Sequence, residues 1–173
     1  FTVSEDGNTY YAAIDGKVEY CNYDLRIVNV LDISGDVDLN IGNIDFNGDV
    51  NITGNVITGV TIRAMGSIYI GGYVEGAVIK SNKDIVLNKG VNANGIGQIE
   101  AKGNISARFF ENAIVYAEGD VNAGYILSSK IMALGKVIVQ GSRGTIHGGD
   151  VTVVMGIETS NAGNASYAPT NLR

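Results

Sequence analysis

The chain has 173 residues, 45% hydrophobic and 17% charged, enough apolar content for one domain with a sizeable core and too little charge for a polar disordered chain. Its 24 Gly and single Pro fit neither a proline-rich linker nor collagen. Net charge is −6 but uneven: residues 1–60 hold ten acidic and two basic side chains, and residues 61–173 hold eight and ten. Neither part carries the dense basic patch of a nucleic-acid binder, so no nucleic-acid partner is expected. Apolar residues come in twos and threes and never form the ~18-residue run of a membrane helix, so no membrane insertion is expected.

In chain order, the start Phe1-Thr2-Val3-Ser4-Glu5-Asp6 lacks the basic region and apolar core of a signal peptide. The absent initiator Met points to a fragment or a processed chain. Tyr10–Ile14, a turn at Asp15-Gly16, and Lys17–Cys21 predict a β-hairpin. Residues 1–30 differ from the rest of the chain and are expected to form an N-terminal hairpin, a cap or the remnant of a flanking domain. Cys21 is the lone cysteine, so no disulfide staples the fold, and a reducing compartment is expected. With no histidine or basic group close by in sequence to lower its pKa, it reads as a small packing residue rather than a nucleophile.

Residues 31–173 are dominated by an internal repeat. Ala64-Met65-Gly66-Ser67-Ile68-Tyr69-Ile70 aligns with the segments starting at Ala101, Ala117 and Ala133. Ser81-Asn82-Lys83-Asp84-Ile85-Val86-Leu87 fits with Lys in the Gly position, and Gly149-Asp150-Val151-Thr152-Val153 closes the series. The key positions 66, 83, 103, 119, 135 and 149 are separated by 17, 20, 16, 16 and 14 residues. Apolar residues alternate within each unit, which is strand periodicity. Two strands per unit are expected to meet at a corner, where Gly accepts positive φ without steric cost. A unit this short cannot bury its own apolar face, so successive units must stack. Stacking about 4.8 Å apart turns Ile62, Ile79, Ile99, Val115, Ile131 and Ile146 into one internal aliphatic ladder, and Ile68, Ile85, Ile105, Val121, Val137 and Val151 into a second. About eight coils would give a rod roughly 35–40 Å long.

The expected fold is therefore all-β: a single-stranded right-handed parallel β-helix (solenoid) of about eight coils. Gly42, Gly48, Gly54, Gly66 and Gly72 fall on a six-residue period, the mark of left-handed hexapeptide solenoids, but the later steps break it and favour the right-handed form. End coils present unpaired strand edges that invite pairing with another chain. Ser160–Pro169 has turn composition and no closing helix, so the C-terminal end reads as uncapped.

Candidate chemistry is sparse. Asp36, Asp38, Asp45 and Asp49 form the densest carboxylate group and a weak candidate Ca²⁺ site, although Asp beside Gly is also ordinary corner chemistry. His147, the one histidine, cannot build a three-histidine metal site and reads as a half-packed corner residue rather than an acyltransferase base. Tyr69, Tyr73, Phe109, Phe110, Tyr116 and Tyr125 can pack along a ladder or present a protein-binding face. Gly71-Gly72 lacks the context of a phosphate loop. Asn51-Ile52-Thr53 and Asn104-Ile105-Ser106 match the glycosylation sequon but fall within predicted strands. No catalytic residue and no cofactor are expected.

The blocks Asp36-Val37-Asp38-Leu39 and Gly42–Val50, notably Gly42-Asn43-Ile44-Asp45-Phe46, resemble the opening of the β-solenoid domain of the flagellar assembly protein A family. Ala107–Ala113, with Phe109-Phe110-Glu111-Asn112, together with Ile126–Ser129, Gly144–Gly149 and Ala168-Pro169-Thr170, are similar to later blocks of that family. The resemblance covers roughly residues 12–172. It implies a bacterial, cytoplasmic protein linked to flagellar assembly and polar placement, with no established catalytic site. Members usually carry an N-terminal domain and a C-terminal helical region besides the solenoid. Bactofilins, cytoskeletal solenoids that polymerise through their end coils, are a more distant comparison. The expected function is a non-catalytic scaffold or protein-interaction solenoid whose partners are proteins, itself among them, head to tail or face to face. The alternatives are a β-helix enzyme acting on acidic polysaccharide and a hexapeptide-type acyltransferase.

Overall fold

The computed structural model describes residues 2–13, 16–21, 24–163, 165 and 168–173. Among the described residues every regular element is a strand, and those from Val30 onward pair in parallel. The result is a β-solenoid of about eight turns. Each complete coil has three sides, not the two strands expected from the repeat. The first face stacks Ile44–Phe46, Thr61–Ala64, Val78–Ser81, Gln98–Ala101 and Ile114–Ala117, then the second halves of Tyr125–Ala133 and Thr145–Val153, and finally Thr170–Leu172. The second face runs from Val30–Ile33 through Ile68–Ile70 and Val121–Ala123 to Gly156–Thr159. The third begins as the single bridges Val37–Val56–Val74 and widens into Tyr73–Glu75, Gly90–Asn92 and Phe110–Glu111. Its shortness, two or three residues, hides it in the variable part of the repeat.

Alternation does what the sequence demands. In Ile68-Tyr69-Ile70 the two isoleucines are buried and the tyrosine is exposed. The inward columns are Ile44–Ile62–Ile79–Ile99–Val115–Ile131–Val151 on the first face and Val50–Ile68–Ile85–Ile105–Val121–Val137–Ile157 on the second. The third-face column is Val37–Val56–Val74–Val91–Phe110–Ile126–Ile146. Nearly all of these side chains are buried, each contributing about 1.5–3 kcal/mol by leaving water. In the coil that admits Phe110, Ala107 stands where the preceding coil has Leu87.

Two rungs differ from expectation. Ile146 stands on the third face above Ile126, and Val151 continues the Ile62 column above Ile131. Gly149-Asp150-Val151 imitates the repeat motif, but Gln140–Gly144 lengthens the preceding coil and shifts the register. The true successor of Gly135 is Met155, whose N–H donates to the Gly135 carbonyl at 3.1 Å. The final step is thus 20 residues rather than 14.

The role of the repeat glycine also differs. Gly66, Gly103, Gly119 and Gly135 are absent from the residues with positive φ. They are required by close approach: a Cβ on Gly135 would lie 2.8 Å from the Gly119 carbonyl carbon, and one on Gly103 would lie 2.9 Å from that of Lys83. Positive φ occurs at other positions, among them the corner between the third and first faces at Asn112 (48°), Ser128 (46°) and Gly148 (66°).

The N-terminal strands also pair otherwise than expected. Lys17–Cys21 forms an antiparallel hairpin with Asp24–Val28, and Tyr10–Tyr11 pairs with Thr2–Val3. The Tyr10–Ile14 strand and Asp15-Gly16 turn include Ile14 and Asp15, which lie outside the described residues, as does the side chain of Cys21.

Candidate interaction surface

The four aspartates of the candidate Ca²⁺ site are not brought together. Among the described residues no group of three or more His, Cys, Asp or Glu side chains could hold a metal ion. The corner geometry uses Asp36 and Asp49 instead. Asp36 Oδ1 accepts the backbone N–H of Asn55 at 2.7 Å, and Asp49 Oδ1 accepts that of Ser67 at 2.7 Å. The second pattern repeats up the rod: Asp84 accepts from Asn104 at 2.6 Å, Asn104 from Asp120 at 2.9 Å, and Asp120 from Lys136 at 2.7 Å. In each of these pairs one coil satisfies a backbone donor of the next, at a corner where the chain leaves its ladder. Asn104 of the second sequon is one rung of this series. Asp38 closes a local turn, and the N–H groups of Ile41 and Asn40, with the Asn40 amide, hold its carboxyl below the usual range. Asp45 is exposed and in register with Arg63.

Lys83 occupies the glycine position because Ser81 changes the backbone path. Elsewhere the glycine N–H donates directly to the glycine carbonyl one coil back, as Gly135 does to Gly119 at 3.0 Å. Here the buried Ser81 hydroxyl donates to the Gly66 carbonyl at 2.7 Å and accepts the Lys83 N–H at 2.9 Å. The inserted hydroxyl spaces the two coils and makes room for a Cβ.

The aromatic residues divide by face. Phe110 is fully buried in the core, and Tyr69 and Tyr116 lie on the outer sides of the second and first faces. Tyr73, Phe109 and Tyr125 come together. Phe109 stacks on Tyr125 at 5.1 Å between ring centroids, 11° from parallel, and meets Tyr73 at 6.3 Å and 45°. Gly90 stands between Tyr73 and Phe109 in the register, and its missing side chain lets Phe109 reach across that rung. Cations close both ends: Lys89 Nζ lies 4.9 Å from the Tyr73 centroid, and the Arg143 guanidinium 4.8 Å from that of Tyr125. The Tyr125 hydroxyl donates to Glu111 Oε1 at 2.8 Å. Burial pushes the Tyr125 phenol above its ordinary pKa, and the hydrogen bond and charge of Glu111 add to the rise, against the pull of Arg143 and Arg108.

Beside this stack runs a surface groove. One depression of about 440 Å³ has Val86, Ser106, Asn122 and Ile138 on its floor, and a second of about 600 Å³ lies between Arg108, Tyr125 and Arg143. His147 lies beyond it, in a depression of about 290 Å³ with Tyr125, Arg143 and Thr145. Sequence reasoning named the aromatics but missed the two arginines, which lie 35 residues apart in sequence. At the C-terminal end, Leu134, Val154, Met155 and Leu172 form an exposed apolar group, with Val154 and Met155 about 70% accessible.

The comparison with protein families fits this architecture. The model of the Flagellar Assembly Protein A beta solenoid domain matches residues 29–173. The chain belongs to this family. The match starts one residue before the first strand of the parallel stack and runs through Thr170–Leu172, so the flagellar assembly protein A solenoid and the observed coils coincide. No curated protein and no solved structure matches the chain. Among the described residues no helix is long and apolar enough to cross a membrane.

Proposed function

We propose that the chain is a non-catalytic scaffold of a bacterial, cytoplasmic flagellar-assembly protein, working through protein partners and through self-association of its end coils. The observation that supports this most directly is the C-terminal coil. Among the described residues its strands Gly156–Thr159 and Thr170–Leu172 each pair on one side, and a strand edge of this kind accepts a further strand. Exposed Val154, Met155 and Leu172 surround that edge. The first coils, by contrast, carry Asp32, Asp36, Asp38, Asp45 and Asp49 without a basic residue between them. Two acidic ends repel, while an acidic end and an apolar one do not, so head-to-tail stacking is favoured over head-to-head.

Light scattering across a concentration series, at low and high salt, tests the self-association. The expected result is a mass that rises with concentration. A strict monomer throughout would remove self-association from the proposed role.

A further inference from the structure

We propose that the groove between the second and third faces binds an extended protein segment through its carboxylates. The two depressions share Arg108, Gly124 and Gln140, so they form one continuous channel. The channel exists because Gly124 follows Arg108 in the corner column, donating its N–H to the Arg108 carbonyl at 3.0 Å, and has no side chain to fill the step. Among the described residues, Arg108 and Arg143 are the only charged ones lining it, in a chain of net charge −6. Among the described residues neither forms an ion pair. The neighbouring carboxylate, Glu111, is engaged by the Tyr125 hydroxyl.

The aromatic stack decides the ligand class. Tyr125 stacks on a face of Phe109, Tyr73 meets the same ring at a tilt, and a cation lies over each outer ring. Nucleobases need open ring faces to stack upon, and the contacts within the stack compete for those faces. Ring edges carry the positive part of the aromatic quadrupole and therefore favour carboxylate oxygens, as the guanidinium groups do. The floor residues Val86, Ser106, Asn122 and Ile138 are successive rungs of one column. Three inter-strand steps span about 14 Å, the length of about four extended residues. Apolar Val86 and Ile138 at either end of the floor match a segment that alternates acidic and apolar residues.

The inference rests on the proposed partner-docking role, and its test is separable from that of self-association. The probe is a fluorescein-labelled peptide of alternating Glu and Leu, about eight residues long, followed by anisotropy at about 50 and 300 mM salt. Binding at low salt that weakens at high salt is expected. Arg108→Ala with Arg143→Ala should weaken binding roughly tenfold or more, whereas Lys102→Ala, outside the groove, should leave it unchanged. A Gln-for-Glu peptide should lose binding to the unaltered chain, so a folding defect in the variants cannot imitate the result. Equal binding of the Gln peptide, no effect of the double substitution, or competition by oligothymidine or inorganic phosphate as strong as by unlabelled peptide would each overturn the assignment. Failure here with self-association intact would remove the groove and leave the scaffold role standing.

Discussion

Asp120 Oδ1 accepts the backbone N–H of Lys136 at 2.7 Å, one coil further along the rod. The bond requires Gly135, because a Cβ there would meet the Asp120 carboxylate and the Gly119 carbonyl carbon. Gly135→Ala is expected to destabilise the chain by about 1–3 kcal/mol, as overpacking against backbone does. Asp120→Asn should be nearly neutral, since Asn104 fills the equivalent place one coil back. Urea unfolding checks both, and an unaltered midpoint for Gly135→Ala would refute the close-approach explanation.

The Ser81 hydroxyl bridges Gly66 and Lys83. Ser81→Ala leaves a carbonyl and an N–H without that bridge and is expected to cost about 1–3 kcal/mol. Adding Lys83→Gly restores the Ala-x-Gly pattern of the neighbouring coils and should recover most of the loss. A double-mutant cycle measures this coupling, and strict additivity would mean that the two positions are independent.

Ser128 holds φ at 46°, in a region costly for side chains with a Cβ. It is exposed, so little packing is lost on truncation. Ser128→Gly should raise stability by about 0.5–1 kcal/mol, and Ser128→Val should lower it. Thermal unfolding distinguishes the two, and a Gly variant less stable than the parent would show that the serine compensates for its own strain.

Tyr125 should titrate above the ordinary phenol value of about 10. The folded chain holds this proton more tightly than the unfolded one. Its stabilising contribution is therefore complete below the unfolded pKa, and it is lost as pH rises through the folded one. Glu111→Ala should return the transition toward the ordinary value. NMR titration of the Tyr125 ring carbon reads this directly, and an identical transition in parent and variant would exclude Glu111 as a cause.

Met155 is about 70% exposed on the terminal coil. If that coil carries the self-association, Met155→Lys should lower the associated fraction several-fold at fixed concentration while leaving unfolding unchanged, because placing a charge at a contact centre is costly. Sedimentation velocity checks it, and equal association in the variant would move the contact elsewhere.

Local sequence pattern is enough to specify a solenoid. Alternation in Ile68-Tyr69-Ile70, small residues at 64, 101, 117 and 133, and the recurring Gly-[Asn/Asp/Ser/Lys] step are local consequences of burying one side of a short strand and turning a tight corner. The Phe109-Phe110-Glu111-Asn112 and Gly42-Asn43-Ile44 blocks were legible as family marks for the same reason. Register, and the neighbours of each exposed side chain, come from the tertiary structure. The insertion Gln140–Gly144 moves Val151 into the Ile62 column and Ile146 onto the third face. No local pattern encodes that shift, because Gly149-Asp150-Val151 satisfies the motif equally well. The same insertion carries Arg143 over the Tyr125 ring. Coil stacking converts separations of about 16 to 20 residues into neighbours about 5 Å apart, so a groove built from one side chain per coil has no compact signature in the chain.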